Sequence, residues 1–577
     1  MIIIFAQNWN MIKKSILLIV SLFFITSLFA QQSGSEMYVV NFTDKGVTKN
    51  AKINASTYLS EKSVERRLKQ KISFDQADIP LNEQYVKEVS KSGAKILTRS
   101  RWFNAVVIEA DNQAVINIST LPFISSVKPI NSLAKQKSPS VSQKPFFESE
   151  TVSPWINEIK KQVKSDAYSY GTAFNQINQL KGQSLHNMGF SGQGMTIAVI
   201  DAGFNSVDKM TCFDSLRANH QILGTRDFAQ PGNNVYATTM SSHGTMVLSC
   251  MAANTSGQMV GTAPKANYWL LRSEVAASES IIEEYYWVNA AEFADSVGAD
   301  LINSSLGYTT FDDPASNHTY ADMNGKTTVV TKGAEIAAQK GILVVNSAGN
   351  GGSATSTWKY IGAPADGDSV FTIGAVDAAG KRAYFSSLGP TYDRRIKPTV
   401  AAQGLGAAVF TPGGDANPGG VLSTASGTSF SSPIICGITA CLWQAMPDRS
   451  NMQIIESIKA TGSQASQPDT LLGWGIPDFS LALLYLSIQS SSASESTLYA
   501  FPNPFTDNLT IGFPKPINGK YNLEIVNLQG KVIYSRQLDE GPTRSIQIND
   551  LENLAAGIYV IKVYNRLQFY TGKIIKI

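Results

Sequence analysis

The stretch GMTIAVID, Gly194 to Asp201, is an almost uninterrupted apolar run that ends in a carboxylate. Such a run predicts a strand buried on both faces, because a half-exposed strand would alternate apolar and polar residues. Further runs of this type are NYWLLRSE, ADLINSSLG, GILVVNSAGN and VFTIGAVD, with helical stretches such as IIEEYYWVNAAEFADSVG between them. The alternation predicts an α/β domain built around a doubly wound parallel sheet.

Polar residues follow several of these runs directly. Asp201 ends the first run, Ser305 and Gly307 follow ADLINS, and Asn350 follows ILVVNSAG. Ligands of doubly wound sheets bind beyond the carboxyl ends of the strands. These side chains are therefore candidates for one functional site.

The segment SGTSFSSP, Ser426 to Pro433, leads into the apolar stretch IICGITACLW. A stretch that is apolar all round predicts a buried helix, and Pro433 suits its first turn. A serine at that point would meet free N–H groups and the positive end of the helix dipole. The alternative is a loose Ser-rich loop. A serine nucleophile would need a base within hydrogen-bond reach and an acid that orients the base.

Histidine is scarce, and one of the four stands in a distinctive place. His243 opens the mostly apolar stretch HGTMVLSCMAA, whereas His186, His220 and His318 lie in polar, loop-like surroundings and are expected to be solvated. Asn350 lies in NSAGNGG, where a side-chain amide and backbone N–H groups can point at one atom, although Asn and Gly are also typical of plain turns. An aspartate such as Asp201 is likewise a common end to a strand.

Taken together, the motifs DAG, HGT, SLG, AGN and GTSFSSP follow one another in the order Asp, His, Ser. From about Tyr168 to Leu486 the chain resembles the subtilisin-like serine peptidases (subtilases). MTIAVIDAGF is similar to their aspartate motif, HGTMVLSCMAAN with GTAPKA to their histidine motif, and GTSFSSP to their serine motif. The resemblance implies a serine endopeptidase that acts on proteins or peptides.

The resemblance also implies roles for individual residues. Asp201, His243 and Ser429 would be the catalytic triad, and Asn350 with the backbone N–H of Ser429 would hold the oxyanion. Ser305-Leu306-Gly307 is similar to the edge segment that pairs with the substrate backbone. The residues expected to wall the S1 pocket with it are Ser347, Ala348 and Gly349.

The motifs depart from the common family pattern at three places. DAG replaces Asp-Ser-Gly or Asp-Thr-Gly, KPTVAAQG replaces Lys-Pro-Asp-Val-x-Ala-Pro-Gly, and FSSP replaces Met-Ala-x-Pro or Met-Ser-x-Pro. None of these changes removes a catalytic atom. The alternative function is a catalytically silent surface binding protein with the same fold. An α/β-hydrolase esterase is disfavoured, because Gly-x-Ser-x-Gly is absent around Ser429 and the residue order differs.

Segments outside this domain carry their own signals. Residues 1–30 contain a basic start and an apolar run before Ala30, which predicts a secretory signal peptide with Met11 as an alternative start, rather than a membrane anchor. Residues 36–131 read as a β-α-β-β-α-β domain similar to the subtilase propeptide, with LSEKSVERRLKQK as an inserted charged helix. Residues 132–160 form the expected linker and processing region, so that the protease would be made as a zymogen.

Beyond the predicted catalytic domain (168–486), residues 487–497 read as a Ser-rich linker. The alternating runs of 498–577 predict a small antiparallel β-sandwich. PNPF, NLQGKVI and AAGIYVIKV resemble the C-terminal sorting domain of type IX secretion substrates, which implies a secreted or cell-surface protein whose partner is that secretion machinery. The alternative is a generic β-sandwich that binds carbohydrate or another partner.

Composition bounds the remaining expectations for these 577 residues. The net charge is only +3 and no basic block occurs, so no nucleic-acid partner is predicted, and no later segment is long and apolar enough for a transmembrane anchor. Cys436 and Cys441 are expected to be buried thiols, while pairing of Cys212 with Cys250 stays open. No cofactor is predicted with certainty. YADMNGKTT offers Asp322, Asn324 and Gly325 as calcium ligands, but a simple turn is the favoured interpretation.

Overall fold

The structure is a computed structural model that describes residues 35–46, 54–130, 151–154, 166–414, 417–490, 498–527, 530–565 and 568–577. The predicted signal peptide and most of the predicted processing linker lie outside these residues. Contacts divide the chain into two units. The smaller consists of 1–53 and 75–134, and the larger of 54–74 and 135–577.

The smaller unit is a four-stranded antiparallel sheet with two helices. Its elements follow in the predicted order, with a helix of the larger unit inserted after the first strand: β1 Glu36–Phe42, α1 Glu61–Lys69 (inserted), α2 Glu83–Lys91, β2 Lys95–Ser100, β3 Ala105–Ala110, α3 Asn112–Ser119 and β4 Ile124–Pro129. The sheet order is β2-β3-β1-β4. Alternate residues of β1, such as Val40 and Phe42, are buried in its core with Val86 and Val89 of α2, as expected for a sheet covered on one face.

The centre of the larger unit is a seven-stranded parallel sheet. The strands of this unit up to residue 426 are β5 Thr151–Pro154, β6 Thr196–Asp201, β7 Ile222–Asp227, β8 Asn254–Thr255, β9 Met259–Val260, β10 Asn267–Arg272, β11 Leu301–Ser304, β12 Leu343–Ser347, β13 Phe371–Val376, β14 Val400–Gln403, β15 Ala407–Gly413 and β16 Asn417–Ser426. The strand order of the parallel sheet is β14-β13-β12-β11-β6-β10-β7. Every residue of β6, β11, β12 and β13 is buried, as the continuous apolar runs predicted. The predicted doubly wound α/β class is confirmed.

Helices cover the sheet between the strands. They are α4 Phe174–Asn178, α5 Gln183–Asn187, α6 Asp214–Ala218, α7 His243–Ala252, α8 Ile282–Val297, α9 Val329–Gln339, α10 Thr428–Ala445, α11 Asn451–Ala460 and α12 Phe479–Ser490. Single-turn 3₁₀ helices lie at Ala55–Thr57, Gln76–Asp78, Thr211–Phe213, Pro314–Ser316 and Tyr320–Asp322. The central helix α10 is buried from Thr428 to Trp443, which confirms the prediction made from its all-round apolar surface.

Pro433 was predicted to lie in the first turn of α10. The structure places it further inside the helix, so that prediction was wrong. The helix begins at Thr428, so the missing proline N–H would have bonded the carbonyl oxygen of Ser429, four residues earlier. The hydroxyl of Ser305 donates to that oxygen instead, at 2.9 Å. A contact from another strand end thus satisfies the group that the proline leaves open.

Two predicted linkers contain regular structure. Residues 151–154 of the first predicted linker form β5. This strand pairs antiparallel with β16, from Thr151 opposite Ser426 to Pro154 opposite Ser423. The second linker was predicted to begin at residue 487, but α12 continues to Ser490. Ser487 and Ser490 thus belong to the helix, because the apolar run before them propagates it.

The C-terminal segment is an antiparallel β domain, as predicted. Its strands are β17 Tyr499–Phe501, β18 Leu509–Asn527, β19 Val532–Ile548, β20 Gly557–Tyr564 and β21 Phe569–Lys576. They form one five-stranded sheet with the order β17-β18-β20-β21, in which β19 also pairs with β18. Across the parts of the chain that the structure describes, no helix combines the length and the apolar character needed to cross a bilayer.

All four cysteines are buried and unpaired with one another, so Cys212 and Cys250 form no disulfide. Burial raises the pKa of each thiol, which disfavours the reactive thiolate. The expectation of buried thiols at Cys436 and Cys441 is confirmed.

Candidate active site

Strand ends and helix starts bring the predicted triad residues to one edge of the sheet. Asp201 is the last residue of β6, His243 is the first residue of α7, and Ser429 is the second residue of α10. All three side chains are buried. His243 Nδ1 lies 2.8 Å from Asp201 Oδ1, which also accepts the backbone N–H of Ala202 at 2.7 Å. With a carboxylate as its partner, Nδ1 carries the proton and Nε2 is the basic nitrogen.

The start of α10 lies beside this pair. The ring of His243 is 6.0 Å, centroid to centroid, from the ring of Phe430, the neighbour of Ser429. In the structure the Ser429 hydroxyl donates to the carbonyl oxygen of Ser305 at 3.4 Å. The predicted serine and the predicted base therefore belong to neighbouring segments, and the Ser429 hydroxyl has the carbonyl oxygen of Ser305 as its partner.

Asn350 is fixed by Thr428, the residue just before the serine. Its side-chain oxygen accepts the backbone N–H of Thr428 at 2.8 Å and the Thr428 hydroxyl at 3.0 Å. The same hydroxyl accepts the N–H of Gly349 at 3.0 Å. Since the oxygen end of the amide is held by Thr428, its –NH₂ group is the end that can donate to an anion. The residue order alone did not single out Thr428.

The two predicted walls of the substrate pocket are joined by Asn346, which the sequence reading did not include. Its side-chain –NH₂ donates to Leu306 O at 3.0 Å and to Ser347 O at 2.8 Å. Both walls are buried, from Ser305 to Gly307 and from Ser347 to Gly349. The available signal was a polar residue inside the apolar run ILVVNSAG, since a buried amide must find partners.

A cavity of about 390 Å³ is lined by residues that are close in sequence to Asp201 and His243, but not by Asp201 or His243 themselves. Its lining includes Ala202 and Ser241 from the triad segments, and Arg272 from the end of β10. Arg272 is tied down, because its guanidinium donates to Asp227 at 2.6 Å and to the carbonyl oxygen of Ala202 at 3.3 Å. Arg272 therefore gives this cavity one fixed, positively charged wall.

Three buried carboxylates lie between β10 and the start of α8. Oxygen atoms of Glu274, Glu279 and Glu283 lie within 4.8 Å of one another, and such oxygens could hold a hard cation. Some of these oxygens already accept hydrogen bonds within the protein. Glu274 accepts the hydroxyl of Tyr308, and Glu283 accepts two backbone N–H groups. Burial, and then the charge of Glu274, raises the pKa of the Tyr308 phenol well above its usual value.

The segment suggested as a calcium loop uses its oxygens locally. Asp322 accepts the N–H and hydroxyl of Thr319, and Asn324 accepts the N–H of Lys326. Gly325 donates its N–H to Asp366 at 2.7 Å. These bonds are those of a turn, which was the favoured interpretation.

Two of the three histidines expected to be solvated are not. His186 is buried, with Nε2 donating to Thr262 O at 3.0 Å and Nδ1 accepting the hydroxyl of Tyr170 at 2.8 Å. His318 is largely buried against Glu284. Burial lowers the pKa of His186 to about 4. At His318 burial also acts to lower the pKa, but the charge and hydrogen bond of Glu284, together with the charges of Asp322 and Asp366, raise it overall. Only His220 is exposed, as predicted.

Comparisons with known proteins match three parts of the chain. Residues 192–475 match the model of the subtilase family, residues 37–145 the peptidase S8 propeptide domain of Bacteroidota, and residues 499–577 the secretion system C-terminal sorting domain. A subtilisin of Bacillus pumilus is 31% identical over 289 residues, which are 50% of this chain and 90% of that protein. Subtilisin E of Bacillus subtilis is 28% identical over 395 residues, 68% of this chain and 84% of that protein.

Among solved structures, fervidolysin from Fervidobacterium pennivorans, described as a keratinolytic enzyme related to subtilisin, is similar with a TM-score of 0.52. The match covers 92% of this chain and 71% of that one at 18% identity, and it supports the fold.

Proposed function

The chain belongs to the subtilase family, and from that premise we propose that it hydrolyses peptide bonds through an acyl-enzyme on Ser429, with His243 as general base and Asp201 as its orienting acid. It is a subtilisin-like serine endopeptidase with a propeptide and a secretion sorting domain, and hence a protease made as a zymogen. The sorting domain marks it as a secreted or cell-surface protein that uses the type IX machinery.

The observation that carries the triad assignment is the buried 2.8 Å contact between His243 Nδ1 and Asp201 Oδ1. In the proposed reaction the Ser429 hydroxyl leaves Ser305 O, donates its proton to His243 Nε2 and attacks the scissile carbonyl. The protonated His243 then gives that proton to the leaving amine. Asp201 holds the tautomer and stabilises the imidazolium at this buried position. A water molecule then gives a proton to His243 and attacks the acyl carbon, and the Ser429 oxygen leaves with the proton that His243 returns.

The tetrahedral oxygen would be bound by the Asn350 amide and the Ser429 backbone N–H. This assignment is supported by the clamp on the Asn350 oxygen, because a donor that is already oriented needs no reorganisation during the reaction. The substrate backbone would pair with Ser305 to Gly307 as an added strand. Ser347 to Gly349 would then wall the pocket for the residue before the cut.

Maturation would cut the linker ahead of β5. Residues Thr151–Pro154 pair with β16, and backbone held in a sheet is a poor protease substrate. We therefore place the cut within 131–150, with β5 retained by the mature enzyme. Export would begin with the predicted signal peptide at residues 1–30.

The test expresses the chain without residues 1–30 as wild type, Ser429→Ala and Ser432→Ala. Ser432 is a matched control, since it is a buried serine of the same helix whose hydroxyl donates to Asn303 at 3.1 Å. Intact mass over time and casein cleavage are measured. Wild type and Ser432→Ala should release a fragment ending within 131–150 and cleave casein, while Ser429→Ala should do neither.

Release and cleavage by Ser429→Ala would refute the assignment of the nucleophile. If all three folded proteins stay intact and inert, a trace of trypsin is added to cut the linker. Casein cleavage that appears only in wild type and Ser432→Ala would support maturation by another protease, and continued inactivity would favour the silent binding protein.

A further inference from the structure

The inserted segment Asn54–Phe74 belongs by its contacts to the larger unit, although the segments before and after it belong to the smaller one. It lies inside the propeptide match of residues 37–145. Its helix α1 is capped by Ser60, whose hydroxyl accepts the N–H of Ser63. The segment thus comes from the part of the chain that precedes the proposed cut but packs on the catalytic domain.

The main contact is a buried ion cluster. Both Arg66 and Arg67 bond the carboxylate of Asp295 in α8, at 2.6 Å and at 2.7–2.8 Å. The exposed fractions of the three side chains are 3%, 0% and 0%, so almost no water screens the attraction. Burial lowers the pKa of Arg66, and the charge of Asp295 acts against that shift. Removing one partner of such a cluster leaves a buried charge uncompensated.

Two arginines share one carboxylate, and helix ends supply further negative potential. Arg66 also donates to Ala299 O at 2.6 Å and to Lys340 O at 3.2 Å, just past the C-termini of α8 and α9. The backbone N–H of Ser60 donates to Ser296 O at 2.8 Å. Carbonyl groups at helix C-termini lack helical partners and carry the negative end of the dipole. The insertion therefore caps both helices.

Two glycines make room for this approach. Gly298 and Gly341 follow α8 and α9 with φ of +81° and +88°. A Cβ at Gly298 would lie 2.7 Å from Cβ of Lys62, and one at Gly341 would lie 2.8 Å from Nε2 of Gln70. The surface between these helix ends is shaped closely around the insertion.

Polar contacts extend the interface on both sides. Lys62 Nζ bonds Asp300 at 2.7 Å, Thr196 Oγ1 at 2.6 Å and Gly194 O at 2.9 Å. Gln70 donates to Gly341 O at 2.8 Å and accepts the N–H of Asn451 at 3.1 Å. None of these partners is one of the proposed catalytic or substrate-binding residues.

We propose that Asn54–Phe74 is an anchor that keeps the cut N-terminal fragment bound to the catalytic domain, through a docking surface made by the C-terminal ends of α8 and α9 and by Asp295. The proposal rests on the proposed cut of the linker within 131–150. That cut breaks none of the contacts described above. Release of the fragment then requires the arginine cluster to separate from Asp295, a step apart from the opening of the substrate site.

The experiment uses the chain without residues 1–30 in the Ser429→Ala background, with a recognition sequence for a site-specific protease placed within 135–148. The added protease makes the cut, so the result does not depend on the activity of the chain itself. The N-terminal fragment is labelled, unlabelled competitor is added in excess, and the dissociation rate is followed by gel filtration and fluorescence.

The variants separate the anchor from everything else that the fragment contributes. Arg66→Gln with Arg67→Gln should raise the dissociation rate about 100-fold or more, and Asp295→Asn should raise it similarly from the other side. A protein with both the arginine substitutions and Asp295→Asn should have nearly the same dissociation rate as either variant alone, because both changes disrupt the same ion cluster. Arg99→Gln is the matched control, since Arg99 pairs with Glu83 on the exposed surface of the smaller unit, and it should change the rate by less than about twofold.

Lys62→Met covers the case in which the arginine variant does not fold. The side chain of Lys62 is 36% exposed, so its loss should be tolerated and should raise the dissociation rate about three- to tenfold. The proposal is overturned if the wild-type fragment leaves as fast as the fragment of the arginine variant. It is also overturned if the rates of all variants match that of Arg99→Gln. Either result leaves the proposed protease activity, tested with wild type and Ser429→Ala, untouched.

Discussion

The hydroxyl of Thr428 offers a test of how Asn350 is positioned. Thr428→Val keeps the shape of the side chain but removes the donor to Asn350 Oδ1, at 3.0 Å, and the acceptor of the Gly349 N–H, also at 3.0 Å. Asn350 keeps its bond from the Thr428 backbone N–H at 2.8 Å. The amide should therefore be less well oriented without being lost.

The expected size follows from these bonds. One hydrogen bond contributes about 0.5–1.5 kcal/mol, which at about 1.36 kcal/mol per factor of ten predicts a fall in kcat of about 2- to 13-fold. Loss of the whole amide in Asn350→Ala sets the upper limit of about 10²–10³, a magnitude measured on a subtilisin. KM should change little, because the effect arises in the transition state. The buried N–H of Gly349, left without its acceptor, should lower the free energy of unfolding by about 1–3 kcal/mol.

The assay is steady-state cleavage of a chromogenic peptide by the matured enzyme, with active sites titrated by a phosphonate. Thr428→Ser keeps the hydroxyl and is the control, with a kcat near that of wild type. In the Asn350→Ala background, Thr428→Val should lower kcat by less than about twofold. If the variant lowers kcat by the same factor in both backgrounds, Thr428 does not act through Asn350 and the reasoning fails.

Three further predictions follow from the same structure. Asp201→Asn should lower kcat about 10⁴-fold with the fold intact, because His243 then loses its correct tautomer; a kcat near wild type would contradict the role of Asp201. His186 has a folded pKa of about 4, below its unfolded value, so its contribution of about 3 kcal/mol is present above pH 6.5 and is lost as pH falls towards 4. The measurement is denaturant unfolding of Ser429→Ala and of Ser429→Ala with His186→Gln, each at pH 7 and pH 5. The free energy of unfolding should fall more between pH 7 and pH 5 in the protein that keeps His186. The four buried thiols should resist a thiol reagent in the native protein and all react in denaturant; fast native labelling would contradict their burial.

The sheet could be predicted from the sequence because burial on both faces leaves a local pattern. The runs that became β6, β11 and β12 contain their own evidence of strand and burial. The roles proposed for Asp201, His243 and Ser429 came from the order of the motifs, and the structure brings their segments together. Structural roles that depend on a residue far away in the sequence were harder to predict from the local pattern.

Arg66 and Arg67 show why such roles are hard to predict. In LSEKSVERRLKQK they look like the solvated face of a charged helix, and their burial depends on Asp295, more than 220 positions later. His186 is similar, since its neighbours in QSLHNMG are polar while its partners are Tyr170 and the carbonyl oxygen of Thr262. Local composition cannot reveal a partner that only the fold brings close.

The start of α10 departs from the usual rules for helices in a way that fits the proposed chemistry. Its N-cap residue, Gly427, has no side chain that could cap the helix, and its first turn has no acidic residue, although Asn350 accepts the N–H of Thr428; Ser450, by contrast, caps α11 with a full capping box. A glycine in place of a capping residue costs only about a few tenths of a kcal/mol, and it leaves the positive helix end available to an oxyanion. Pro433 removes the helical donor to Ser429 O, and Ser305 replaces it from the end of β11. The segment proposed to pair with substrate is thereby bonded to the backbone of the proposed nucleophile, so a substrate strand laid on Ser305 to Gly307 would be held in a fixed register to Ser429.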